Sequence, residues 1–300
     1  MKKTRTNILI VAISKRLAGR KGTLFVFATI ALIMSLSLYI IFAERVRAYS
    51  ITAKTDVLAI QALEHPLNHW ELDYKGTLHD IFNDKIYNLQ ESEFAIKVTG
   101  GTELTVTTSE SRNTLVVILN NNEDKSAATL YDDGKIINIS SYAQIEIETE
   151  KSLILPFYGT TSIGDDVSPG IRNILHEGKI RIIEQVLGSD VRYEAGEFTL
   201  DAGDRVKLYE NFDLGLESTV RGFLFHANGE MLAVNIHGDA SIARVYRLGS
   251  SGYSVKSSLW QRIVNDPVIV SMTSLLAILF LMFEIFLALR KIVNKEHHEK

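Results

Sequence analysis

Residues 22–42 read GTLFVFATIALIMSLSLYIIF, twenty-one positions without a charge. At a helical rise of about 1.5 Å per residue, this length crosses a hydrocarbon core of roughly 30 Å. The polar members Thr23, Thr29, Ser35 and Ser37 can return their hydroxyls to the helix's own carbonyls, so nothing is left unpaired in lipid. The stretch therefore reads as a transmembrane helix over residues 22–43, and the rest of the chain is sorted by its side of that helix.

Residues 1–21 carry seven Lys and Arg and no acid. The positive-inside rule places this end in the cytoplasm. Ile10, Ile13 and Leu17 share a helical face away from Lys15 and Arg16, which suits an interfacial helix on an anionic leaflet; a disordered basic leader that only sets orientation suits the same residues. A cleaved secretory signal is the other reading, with Val46-Arg47-Ala48 as a weak cleavage site. The apolar run is longer than a signal core, which favours an uncleaved anchor.

A second apolar run, PVIVSMTSLLAILFLMFEIFLAL, covers residues 267–289 and is closed by Arg290 and Lys291. Pro267 suits a first helical position, where its missing N–H is not needed. Two spans return residues 290–300 to the cytoplasm and leave residues 44–266 outside it. Two features of the spans bear on assembly. Glu284 lies about 9 Å inside Arg290, where it makes a polar contact to another helix or snorkels toward the interface. Ala31 and Ser35 on the first span, and Thr273 and Ala277 on the second, are small residues four apart that suit close helix packing.

Between Arg45 and Asp266 there are 21 basic and 32 acidic residues, a balance of −11. Such a surface argues against nucleic acid as a partner, because phosphate binding needs clustered cations. The chain has no cysteine, which excludes disulfides, thiolate metal sites and a Cys nucleophile, and fits a bacterial envelope protein.

The outer segment alternates with period two: Phe94, Ile96 and Val98; Leu104 and Val106; Ile145 and Ile147; with short apolar runs at Thr114 to Leu119 and Ser152 to Leu155. Turn signals separate them, among them Gly100-Gly101, read as a hairpin turn, and Asp201-Ala202-Gly203-Asp204. Asn228-Gly229 predicts a hairpin with a type I′ turn. Only His79 to Gln90 predicts a helix, from Ile81, Phe82, Ile86 and Leu89. The fold class is a membrane-anchored all-β protein, with an antiparallel β-sandwich or barrel between two transmembrane helices. Two β modules are allowed, with a seam near residue 156 at Leu155-Pro156-Phe157 and a short echo of Asp133-Gly134-Lys135-Ile136 in Glu177-Gly178-Lys179-Ile180.

Chemistry-bearing motifs are sparse. His65 and His69 are four apart, but Pro66 disrupts a shared helical metal site, so a loop leading into a strand at Trp70 outweighs it. Asp165-Asp166 and Asp201 with Asp204 offer carboxylates to calcium but lack EF-hand spacing, and turn formation explains them better. No nucleophile elbow, phosphate loop or dinucleotide fingerprint is present. The expectation is a non-catalytic protein of the bacterial inner membrane, without cofactor or metal, bound to membrane lipid, whose outer domain binds a protein or glycan partner or a second copy as an assembly or scaffold component. A sensor relaying to a cytoplasmic partner and an ion-conducting subunit around Glu284 are the alternatives. The short cytoplasmic ends hold no signalling domain, which ranks the scaffold first.

Overall fold

The computed structural model describes residue 28, residues 30–36, residue 39, and residues 47–89, 94–109, 111–123, 125–132, 134–164, 174–186, 189–247 and 251–298; in the last helix, side chains are described through Ile285 and at residue 288. The chain divides into two compact units, one holding Val46–Gln185 with Glu194–Ser257, the other holding Met1–Arg45, Val186–Tyr193 and Ser258–Lys300.

The first unit is antiparallel β-sheet. Its larger sheet runs in the order β14 (Arg192–Leu200), β13 (Leu175–Gln185), β1 (Arg47–Thr55), β18 (Leu232–Asp239), β17 (Val220–His226), β12 (Leu153–Ile163), β2 (Val57–Ala62), β7 (Glu103–Thr108), β8 (Thr114–Asn120), β11 (Tyr142–Glu148), β4 (Gly76–Asp80) and β5 (Lys85–Leu89). A side branch holds β15 (Asp204–Asn211), β16 (Leu216–Glu217), β19 (Ile242–Arg247) and β20 (Tyr253–Val255). The smaller sheet runs β10 (Lys135–Ile139), β9 (Ala128–Asp132), β6 (Phe94–Val98) and β3 (His69–Leu72). Alternation drives these strands: Leu115, Val117 and Leu119 of β8 are buried, as are Phe94, Ile96 and Val98 of β6, while their neighbours lie nearer solvent.

β12 joins the two halves of the larger sheet. Leu153 to Gly159 pair with β17, and Gly159 to Ile163 pair with β2. At Gly159, where the partner changes, a Cβ would lie 2.1 Å from the Gln61 carbonyl oxygen, so only glycine fits. Pro156 lies inside this strand opposite Phe223. Its carbonyl accepts from Trp70 Nε1 at 2.7 Å, on the side of β12 away from β17, so the missing N–H costs no ladder bond. Asn68 completes that free side: its Nδ2 donates to Tyr158 O at 2.8 Å, and its Oδ1 accepts from Tyr158 N at 2.9 Å. One buried amide thus stands in for a neighbouring strand.

The helix expected over His79 to Gln90 is instead the β4–β5 hairpin, with Asp80 opposite Lys85. Asp80 sets the turn by accepting from Asn83 N at 3.2 Å, and Asp84 takes a left-handed φ of 51°. The helical spacing misled because Ile81, Phe82 and Ile86 are exposed and form no core face. Asn228-Gly229 does join the hairpin β17–β18, but only Gly229 has positive φ (79°), and Glu230 N donates to Ala227 O at 2.9 Å. That is a type II arrangement rather than I′. Gly100-Gly101 links β6 to β7, strands of different sheets, so it is no hairpin turn. The two echoed phrases also differ: Gly134 turns with φ 74° between β9 and β10, whereas Gly178 sits inside β13 facing the Thr52 carbonyl.

In the second unit, α1 (Leu259–Asn265) is followed by α2 (Pro267–His298). Pro267 opens α2, and Asp266 caps it through Oδ1, which accepts from Val268 N at 2.8 Å and Ile269 N at 3.3 Å. Pro267–Ile285 is long and apolar enough to cross a membrane, with mean hydropathy 2.4. The hydroxyls of Ser271, Thr273 and Ser274 return to carbonyls one turn earlier, so they add no unpaired group. Residues 30–36 are helical with Leu32, Met34 and Leu36 exposed. The rest of the first apolar run, the basic leader before it and the Asp165-Asp166 pair lie outside the described residues, apart from Ala28 and Tyr39.

Candidate functional site

The residues singled out in the spans are all on the surface. Glu284, Thr273 and Ala277 are exposed on α2, and Ala31 and Ser35 are exposed in the helical segment 30–36.

The candidate metal ligands have structural duties. His65 caps the 3-10 turn Pro66–Asn68 by accepting from Leu67 N at 3.1 Å, and its ring stacks on Tyr158 with centroids 4.3 Å apart. His69 opens β3, so the two rings face different surroundings. Asp201 and Asp204 hold an arginine: Arg247 Nε donates to Asp204 Oδ1 at 2.7 Å, Nη2 to Asp204 Oδ2 at 2.9 Å, and Nη2 lies 2.8 Å from Asp201 Oδ2. The guanidinium supplies the positive charge that calcium would bring. Among the described residues no group of His, Asp and Glu is arranged to hold a metal.

Three clusters were not foreseen. At one end of the sheet, His176 Nε2 lies 2.6 Å from Asp56 Oδ2, and Arg112 Nη2 lies 3.7 Å from Asp56 Oδ1. Arg112 has a left-handed φ of 56°, and its carbonyl accepts from Gly229 N at 3.0 Å. Nearby, His226 is fully buried, and among the described residues neither ring nitrogen makes a hydrogen bond of good geometry; the Arg112 carbonyl is its nearest acceptor. Burial drives its pKa below the ordinary value, and the Arg112 carbonyl and Glu230 carboxylate, which pull upward, do not offset this. A His–Asp pair is part of a hydrolytic triad, yet among the described residues the His176 ring hydrogen-bonds to Asp56 and reaches no hydroxyl. The cluster ties the β1–β2 turn, β13 and the β7–β8 loop together. No local motif could have signalled it, since Asp56 and His176 are 120 residues apart.

A cleft of about 500 Å³ is lined by Gln61, Glu103, Asn122, Arg205, Lys207 and Glu217 among others. Its lining charges balance, Arg205 and Lys207 against Glu103 and Glu217; Lys207 pairs with Glu217, and Arg205 Nε donates to Ser162 Oγ at 3.0 Å. The balance gives no preference for an anion or a cation.

The third cluster is a pair of open sheet edges. β5 ends the larger sheet and β10 ends the smaller one, so each presents a backbone row with no strand partner among the described residues. Their sequences match: Lys85-Ile86-Tyr87-Asn88-Leu89 and Lys135-Ile136-Ile137-Asn138-Ile139 share the same pattern of burial. A lysine at the head of an edge strand is ordinary protection. The isoleucines are not: Ile86 is 66% exposed, Ile136 is 68% exposed, and Phe82 at the hairpin tip is 76% exposed. Asp80 holds the two edges together. Its carboxylate accepts from the Ser140 hydroxyl, from Ser140 N at 3.2 Å and from Asn83 Nδ2 at 3.0 Å. Burial pushes the Asp80 pKa upward, but these hydrogen bonds outweigh it and hold the carboxyl below its usual range. The recurrence of Lys-Ile-x-Asn was legible in the sequence and is the one signal that pointed here. Comparison with protein-family models, curated proteins and solved structures finds no match to this chain.

Proposed function

We propose that the protein is a non-catalytic assembly or scaffold component of the bacterial inner membrane. In this reading residues 22–43 and 267–289 both span, both ends are cytoplasmic, and the β body is a sandwich outside the cytoplasm whose two sheets close around Phe94, Leu115 and Ile145. The partner is a protein that adds an extended strand to the open edges. The observation that carries this is the pairing of two unprotected edges, β5 and β10, each exposing an isoleucine and joined at Asp80. Strand addition supplies backbone hydrogen bonds for affinity and uses alternate side chains for specificity.

The test uses the absence of cysteine in the chain. Single variants Ile86→Cys and Ile136→Cys of the full-length protein, treated with a cysteine-specific photo-crosslinker in membranes, should give a discrete adduct, while Lys256→Cys should not. Its mass separates a second copy from a different protein. Ile86→Lys with Ile136→Lys should weaken that complex by about tenfold or more, since each removes an apolar contact of about 1 kcal/mol. No adduct from either cysteine variant, or a complex of undiminished stability in the Ile86→Lys, Ile136→Lys variant, would end the edge-binding reading.

A further inference from the structure

α1 is a short helix, one side of which is uncovered among the described residues. Ser258 Oγ accepts from Gln261 N at 3.1 Å, and Gln261 Oε1 accepts from Ser258 N at 2.8 Å, a reciprocal cap that fixes its start. Its end is fixed as firmly. Asp266 N donates to Arg262 O at 2.9 Å, and the same Asp266 side chain caps α2, so one residue joins the helices. Ile263 packs with Val268 and Met272 around Ile269, which folds α1 onto the first turns of α2.

On α1, Trp260 and Val264 are one turn apart and exposed, with Leu259 exposed beside them; Arg262, on another side, is buried. The Trp260 ring is 71% exposed, and its indole N–H makes no hydrogen bond among the described residues, whereas buried Trp70 donates to Pro156 O. A large apolar ring with a free donor suits the headgroup region of a membrane.

Chain continuity says what covers this side. The nineteen residues Pro267–Ile285 rise about 28 Å, close to the hydrocarbon thickness, so Pro267 sits at its boundary when α2 crosses. A helix joined to that point by a single capped residue cannot lie far from the headgroups. We propose that α1 is an interfacial anchor: Leu259, Trp260 and Val264 insert at the boundary of headgroups and acyl chains, and the indole N–H donates to a lipid phosphate or ester oxygen. This rests on the reading that α2 spans the bilayer. The occupant is the bilayer of the leaflet where α2 begins, and the anchor holds the chain's exit point at a set depth.

The experiment uses the full-length protein in phosphatidylcholine vesicles, plain or brominated near the carbonyl end or near the methyl end of the acyl chains. The chain has two tryptophans, so the difference between wild type and Trp260→Phe isolates the Trp260 emission, with buried Trp70 common to both. The expected result is a blue-shifted difference spectrum, insensitive to iodide and quenched roughly twofold more by bromine near the carbonyls than near the methyl ends. Vesicle flotation after alkaline extraction accompanies it. If the protein floats but Trp260 is quenched by iodide, or is shielded from iodide without bromolipid quenching because a protein covers it, the anchor is overturned while membrane insertion stands. If the protein does not float, both fail.

Discussion

Arg247→Met tests whether the Asp201–Asp204 turn is an arginine clamp. Asp204 and Arg247 are the first cross-strand pair of β15 and β19. The Asp204 side chain is fully buried and accepts three hydrogen bonds, two from the guanidinium and one from Asp201 N at 2.9 Å. Methionine keeps the apolar stem but leaves the carboxylate with one backbone donor. Breaking a fully buried pair costs about 3–5 kcal/mol. The Arg247 side chain is 41% exposed, so water enters the vacated space, and the expected loss is about 2–3 kcal/mol. For a body of this size that lowers the melting temperature by roughly 5–10 °C. Full-length protein in mild detergent, melted while the fluorescence of buried Trp70 is followed, reads the β body. Asp204→Asn added to Arg247→Met should recover about half of the loss, because the stranded charge is gone. Calcium should leave the wild-type melt unchanged, since the guanidinium already occupies the place of a cation. A melt within about 1 °C of wild type for Arg247→Met, or a calcium-dependent rise, would refute the clamp.

Gly159→Ala should destabilise the β body by about 3 kcal/mol, because the added Cβ meets the Gln61 backbone, which cannot rotate away, whereas Gly229→Ala, in open space but at positive φ, should cost about 1 kcal/mol in the same melt. His226→Phe should flatten the loss of melting temperature between about pH 7 and pH 5. The folded-state pKa of His226 is depressed, so its contribution to stability is present above the ordinary histidine value and lost as pH falls through that value toward the depressed one. An acid limb as steep as that of wild type would show that the buried ring does not govern it.

The parts legible in the sequence are those with a local cause. Asp266-Pro267 at the head of an apolar run announces a capped helix, and alternation in Thr114 to Leu119 announces a strand, because both are written within a few residues. Strand order is not local. β1 pairs with β13 and β18, more than a hundred residues away, and nothing in its own pattern of burial selects them. The hairpin at residues 76–89 shows how an edge strand defeats periodicity. With one sheet face and one backbone side open, Ile81, Phe82 and Ile86 carry no core pattern, and their accidental helical spacing is all that remains. The Asp56, His176 and Arg112 cluster fails for the other reason: each residue is ordinary where it stands, and only the fold brings them together.

The same edge that misleads the sequence reading makes the strongest functional argument. A β body with two edges open among the described residues and exposed isoleucines would pair with any available strand, and Lys85 and Lys135 are the only charges on those two strands. Those lysines guard one end of each strand, leaving Ile86, Ile136 and the backbone beyond them uncovered. The hydrogen bonds of Asp80 to Ser140 and Asn83 hold the two edges in a fixed relation, and they bury the Asp80 carboxylate, which a surface meant only for solvent does not need. Under the proposal that α2 spans a bilayer, a partner anchored in the same membrane meets these edges at a raised effective concentration, and a modest strand contact suffices. An exposed edge, a fixed corner and an apolar helix are each unremarkable alone; together they are what supports the proposal of a strand-binding surface.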